Sequence, residues 1–168
     1  MSSYTALQLH GVVVRRQRAL PASARSAWHL APNRKYYLDI ILYRYHNKEV
    51  AAEIEFTDEF GDWWAGLAEN EQTRVRASIE LLRQYGVGLP FPHSSGVASS
   101  RHTHMRELRA QCEGNPIRVL YAFNPLRNAI LLLGGDKTGN DRWYEVHVPI
   151  ADRLYDEHLK ELEKEGLL

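Results

Sequence analysis

Between Arg101 and Arg142 the chain carries Arg101, Arg106, Arg109, Arg118, Arg127, Lys137 and Arg142 against only Glu107, Glu113, Asp136 and Asp141, a local charge of +3. His102 and His104 add conditional charge. Such a cluster suits a phosphate: arginine offers a permanently charged planar fork that binds oxygens in pairs, and lysine a compact point charge. When an RNA 2′-hydroxyl attacks its own phosphate, negative charge grows on the phosphoryl oxygens. Preorganised cations then stabilise the transition state more than the ground state. Glu107 is the candidate base for the hydroxyl proton, with Tyr144 or His147 as the protonating or orienting group. The competing reading is a solvated sheet face with weak ion pairs to Glu107 and Asp136.

Strand alternation sorts these residues. Glu107 and Arg109 share one face, whereas Arg106 sits with Leu108 on the other, so Arg106 and Arg109 line one site only if a bulge intervenes. His102-Thr-His104 resembles a metal pair, but no third ligand stands at a diagnostic spacing, so no metal is expected. Cys112 has no visible catalytic partner, and as the single cysteine it excludes an internal disulfide framework. Gly134-Gly-Asp-Lys-Thr-Gly139 lacks the P-loop spacing and reads as a strand-end loop.

The elements that position these groups start near Glu49. Ala52, Ile54 and Phe56 alternate with Glu53, Glu55 and Thr57 as in a strand with one buried face. Asp58 is a plausible N-cap for a helix placing Phe60, Trp64 and Leu67 on one side. A second helix, about Asn70 to Tyr85, repeats that spacing with Val75, Ile79 and Leu82, and Gly86 stops it. Trp63, Trp64 and Tyr85 read as core before they read as base-stacking platforms. Residues 86–100 have a loop composition. Met105 to Leu133 reads as a three-stranded antiparallel meander, with a short further strand around Val146. A last helix starts at Pro149 and carries Ile150, Leu154 and Leu162 along one side. The expected fold is α+β, two helices and a C-terminal helix against one face of a mostly antiparallel four-stranded sheet.

The chain's 168 residues are 44% apolar and formally neutral. That neutrality sums two unlike parts. Residues 1–48 hold eight Lys and Arg against Asp39 alone, a charge of +7, and the remainder carries −7. Residues 1–48 lack a structural period, although Val12–Val14 and Tyr36–Tyr45 allow short elements. They read as a basic extension, poorly ordered or non-native, before a domain over 49–168. A basic nucleic-acid arm and a transit-like sequence are the other readings. No apolar run reaches membrane-spanning length, and the low cysteine use suits a reducing cytoplasm.

Several motifs occur in a telling order: Phe56-Thr-(x)2-Phe60-(x)2-Trp63, Leu81-(x)4-Gly86-(x)2-Leu89-(x)2-Pro92, Met105-Arg-Glu-Leu-Arg109, Ile117-Arg-Val-Leu-Tyr121, the strand ending at Lys137, and Ile150-Ala-(x)3-Tyr155. In these the core from Glu53 to about Leu159 resembles the phage-derived, HigB-like toxins of the RelE/ParE superfamily. The resemblance implies a RelE-like fold and a toxin that cuts mRNA in the ribosomal A site. It also implies a helix-turn-helix antitoxin that silences the toxin in a hetero-oligomer. The phosphate-gripping residues it implies are Arg109, Arg118 and Lys137. The other basic residues of the cluster, Arg101, His104, Arg106, Arg127 and Arg142, read as further RNA contacts, and no cofactor is expected. Where the best-studied branch has a catalytic tyrosine this chain has Val148, leaving Tyr144 or His147 for that role. The alternatives are a ParE-like gyrase poison and a non-catalytic antitoxin-binding module.

Overall fold

The computed structural model describes residues 52–168 together with the backbone of two short N-terminal strands. Those strands are β1 (Gln8–Leu9) and β2 (Val12–Arg16). They are followed by β3 (Ile54–Phe56), α1 (Asp58–Ala65), α2 (Glu69–Tyr85), a 3-10 turn over Gly86–Gly88, β4 (Ser94–Gly96), β5 (Arg106–Cys112), β6 (Asn115–Phe123), β7 (Ala129–Asp136) and α3 (Trp143–Lys164). Tyr36–Tyr45 lies outside the described residues.

The strands form one mixed sheet in the order β1-β2-β3-β7-β6-β5-β4. β3 runs parallel to β2 and β7, and β4 through β7 pair antiparallel. The α+β class, the meander and the mostly antiparallel pairing are as expected, but the four-strand count is not. Five strands lie between residues 54 and 136, and the three-residue β4 completes one edge of the sheet. Its Ser-Ser-Gly sequence has no apolar alternation, which is why this stretch reads as loop.

Helices cover both faces of the sheet rather than the one expected, because β7 is apolar on both of its sides. Phe60, Trp64, Val75, Ile79 and Leu82 of α1 and α2 pack on Leu108, Ile117, Val119, Tyr121 and Leu131. On the other face Trp143, Val148, Ala151, Leu154 and Tyr155 of α3 meet Leu120, Ala122, Ile130 and Leu132. The continuous apolar run of β7 thus has no solvated side.

Thr57, not Asp58, caps α1: its Oγ1 accepts from the Phe60 amide at 3.2 Å and donates to the Leu132 carbonyl. Leu132 is the extra residue of a bulge, since Leu120 pairs with Leu133 and Tyr121 with Leu131. The last helix starts at Trp143, so Val146 is helical rather than in a strand and Pro149 lies inside the helix. This phase leaves Ile150 38% exposed, off the buried side that Leu154 and Leu162 share. Tyr85, at the end of α2, is likewise exposed rather than core.

Gly134 and Gly135 belong to β7 and not to a loop. A Cβ on Gly134 would lie 2.3 Å from the Trp63 ring, and one on Gly135 would lie 2.9 Å from Nε1 of Trp143. Indoles from helices on opposite sides therefore rest directly on bare backbone.

His158 of α3 is buried. Its Nε2 lies 3.0 Å from the Asn124 amide nitrogen and 4.0 Å from Glu55, while Nδ1 has no hydrogen-bond partner among the described residues. Burial lowers its pKa to about 4. An unfolded histidine titrates near ~6.5, so between these values the unfolded chain binds more protons and acid favours unfolding. Urea unfolding at pH 7 and pH 5 is expected to show a loss of about 2 kcal/mol from this group. His158→Gln should flatten that difference; an equal loss in the variant would assign the acid sensitivity elsewhere.

Candidate active site

β5 and β6 present Glu107, Arg109 and Arg118 on the sheet face that α3 covers. Arg109 and Arg118 are directly opposed across the strands, an arrangement of like charges that costs stability unless an anion lies between them. Glu107 supplies part of that charge. Its Oε1 lies 3.9 Å from Arg109 Nε and its Oε2 3.6 Å from Arg118 Nε. Both separations are ion pairs rather than hydrogen bonds. The carboxylate's hydrogen bonds come from hydroxyls instead: Ser95 Oγ donates to Oε1 at 2.8 Å and Tyr144 Oη to Oε2 at 2.6 Å.

Arg118 is 7% exposed. One Nη donates to the Ile117 carbonyl at 2.9 Å, but Nε has no hydrogen-bond partner among the described residues. A buried guanidinium N–H without an acceptor is costly and calls for one. Tyr144, in the first turn of α3, is raised above the ordinary tyrosine range, first by burial and then by the Glu107 carboxylate, with Arg118 opposing. It therefore stays protonated at neutral pH. Lys137 follows β7, its backbone N–H bonded to the Pro116 carbonyl at 2.9 Å. Its Nζ stands 5.4 Å from the centre of the Tyr144 ring. Thus Glu107, Arg109, Arg118, Tyr144 and Lys137 converge although they come from three strands and a helix.

The other candidates are elsewhere. His147 stacks on Trp143 at 4.2 Å, with Nδ1 2.7 Å from the Trp143 carbonyl. Arg106 is on the opposite sheet face and donates to Ser94 Oγ, Tyr121 Oη and the Leu89 carbonyl at 3.0, 3.2 and 3.3 Å; it fastens the loop before β4. Arg101 pairs with Asp156, His104 meets Tyr155 Oη at 3.0 Å, and Arg142 donates to Glu145 at 2.7 Å. Arg127 occupies the β6–β7 turn at φ 65°. Ser95 joins the site although no sequence pattern marks it, since a Ser-Ser-Gly edge carries no spacing that singles it out.

Two opposed guanidiniums, a nearby ammonium, a buried carboxylate and a protonated phenol together make a receptor for an anionic oxygen group. They stand on an α+β protein with helices on both sides of a mixed sheet. The family of phage-derived Gp49-like proteins (DUF891) matches residues 62–156, and the chain belongs to it. Two relatives come from Mycobacterium tuberculosis (strain ATCC 25618 / H37Rv). "Putative toxin HigB2" is 39% identical over 103 residues, 60% of this chain and 51% of that protein. "Putative toxin HigB3" is 45% identical over 92 residues, 54% of this chain and 79% of that protein. The chain is thus HigB-like and spans about half the length of the first of these relatives. No solved structure matches it.

Proposed function

We propose that the protein is the toxin of a type II toxin–antitoxin pair and acts as an endoribonuclease on mRNA in the ribosomal A site. The observation that carries the reading is Arg118, a buried guanidinium with an unbonded Nε beside a carboxylate that is itself bonded to a phenol. Arg118, Arg109 and Lys137 hold the phosphoryl oxygens as charge grows on them. Glu107 takes the 2′-hydroxyl proton while the 2′-oxygen bonds to phosphorus. Tyr144 gives its proton to the departing 5′-oxygen and recovers one from Glu107 through their hydrogen bond. The products are a 2′,3′-cyclic phosphate and a 5′-hydroxyl, and every proton is returned. No cofactor takes part. The names of the HigB relatives support the toxin reading, and a toxin of this type acts in the cytoplasm and is held silent by a helix-turn-helix antitoxin.

Induction of the full chain is expected to arrest growth and fragment mRNA, and Lys137→Ala should relieve both while the protein stays folded. Growth arrest with a DNA-damage response and intact mRNA would select gyrase poisoning instead. The basic segment 1–48 fits an RNA arm. Replacing its arginines by glutamine is then expected to weaken RNA binding and flatten its salt dependence, and an unchanged salt slope would remove it from the interface.

A further inference from the structure

We infer that Phe91 and the cleft beside it form a stacking subsite for one base of single-stranded RNA next to the scissile phosphate, an inference that rests on the RNA-cleaving reading above. Phe91 is 70% exposed, so its ring contributes little to the core. The segment that carries it is nevertheless well fixed. Leu89 is buried, and the Leu89 carbonyl accepts from Arg106. The Pro90 carbonyl accepts from the amides of His93 and Ser94, each at 3.1 Å. The ring is thus held out to solvent by an anchored loop.

Arg109 covers one side of that ring, with its Cζ 5.2 Å from the ring centre. The same side chain reaches Glu107. One guanidinium therefore links an exposed aromatic surface to the carboxylate proposed as the base. Beside them a cleft of about 410 Å³ runs between α2 and β5, lined in part by Arg74, Ser78, His93, Arg109, Gln111 and Arg118. Its volume suits a nucleotide-sized ligand. Three arginines and no acidic residue line it, which favours a polyanion. An acidic peptide would satisfy that charge, but an outward-facing phenyl backed by arginine adds what a base uses: a π-surface for stacking, independent of sequence.

The test uses a short 2′-O-methyl oligonucleotide, which cannot be cleaved, carrying 2-aminopurine, whose fluorescence falls when it stacks. Titrated into the full chain, it should bind with quenching. Phe91→Ala should weaken binding about tenfold and abolish the quenching while leaving the salt slope unchanged, because the phosphate contacts remain. Phe91→Trp should keep both affinity and quenching. Lys137→Ala should instead lower the salt slope and keep the quenching. If the parent chain does not bind the oligonucleotide at all, the RNA reading itself fails. If it binds with a Lys137-dependent slope but Phe91→Ala binds equally tightly, only the stacking subsite is overturned. If Phe91→Ala spares oligonucleotide binding and abolishes binding of the antitoxin, the surface is a protein-docking site and the subsite is likewise overturned.

Discussion

Replacing Arg118 by alanine is expected to lower RNA cleavage by the full chain about a hundred- to a thousand-fold, the usual cost of losing one preorganised donor to a developing oxyanion. Arg118 should sit at the high end of that range. It is buried, its Nε makes no hydrogen bond among the described residues, and its charge acts in surroundings that screen it poorly. Binding should suffer less than turnover, since Arg109 and Lys137 still hold ground-state phosphate. Arg118→Lys keeps the charge and loses the planar fork, so it should recover only part of the rate. The substitution also removes an ion-pair partner of Glu107. That carboxylate keeps Ser95 and Tyr144 as donors, and the expected stability loss is about 1–3 kcal/mol. Single-turnover cleavage of a labelled mRNA positioned in the A site of programmed ribosomes, with a melting curve on the isolated protein, separates the two effects. A folded Arg118→Ala variant cleaving within twofold of the parent would remove this residue from the site.

Gly134→Ala is the substitution expected to do most damage to the fold. The added methyl would fall on three carbons of the Trp63 ring, at 2.3, 2.4 and 2.5 Å, far inside van der Waals contact. Trp63 is part of α1 and its ring also meets Phe60 at 5.5 Å, so it cannot move aside without disturbing the core. Overpacking of this kind costs about 3 kcal/mol, which for a chain this size lowers Tm by roughly 6–12 °C. Trp63→Leu in the same chain should recover part of the loss by making room, a non-additive pairing that a double-mutant cycle would register. Strict additivity of the two losses would show that the ring is not what forbids the side chain. Gly139→Ala is a poor control because φ there is +63°, a backbone that itself disfavours alanine.

What could be read from the residues follows from period and parity. The apolar spacing of α1 and α2 names Phe60, Trp64, Val75, Ile79 and Leu82, all of them buried. Alternation along β5 separates Arg106 from Glu107 and Arg109, and the two sets do lie on opposite sheet faces. What escapes the sequence is long-range or unpatterned. β4 has no hydrophobic signal, and the parallel pairing of β3 with β7 has no local signature. Pro149 suggests a helix start only because proline is so often found at the first helical position; tertiary packing of Trp143 and Val148 instead carries the helix through it. Of the candidate site, the density of cations around Glu107 is legible. The meeting of Lys137 with Tyr144 depends on how β7 ends and α3 begins, which no spacing encodes. Ser95 and Phe91 lie in a stretch whose composition says only that it is exposed.

The paired glycines of β7 bear on the order in which the protein can become active. Trp63 is synthesised before them and Trp143 after them, so one side of the strand can be seated while its other side is still bare. Tyr144 follows Trp143 directly, and the indole that settles on Gly135 also delivers the phenol to Glu107. A growing chain that has completed its sheet would thus hold the proposed anion-binding face before it holds the proposed proton donor. On the proposed reading, catalytic competence would arrive only when the last helix docks on the bare glycine backbone of β7.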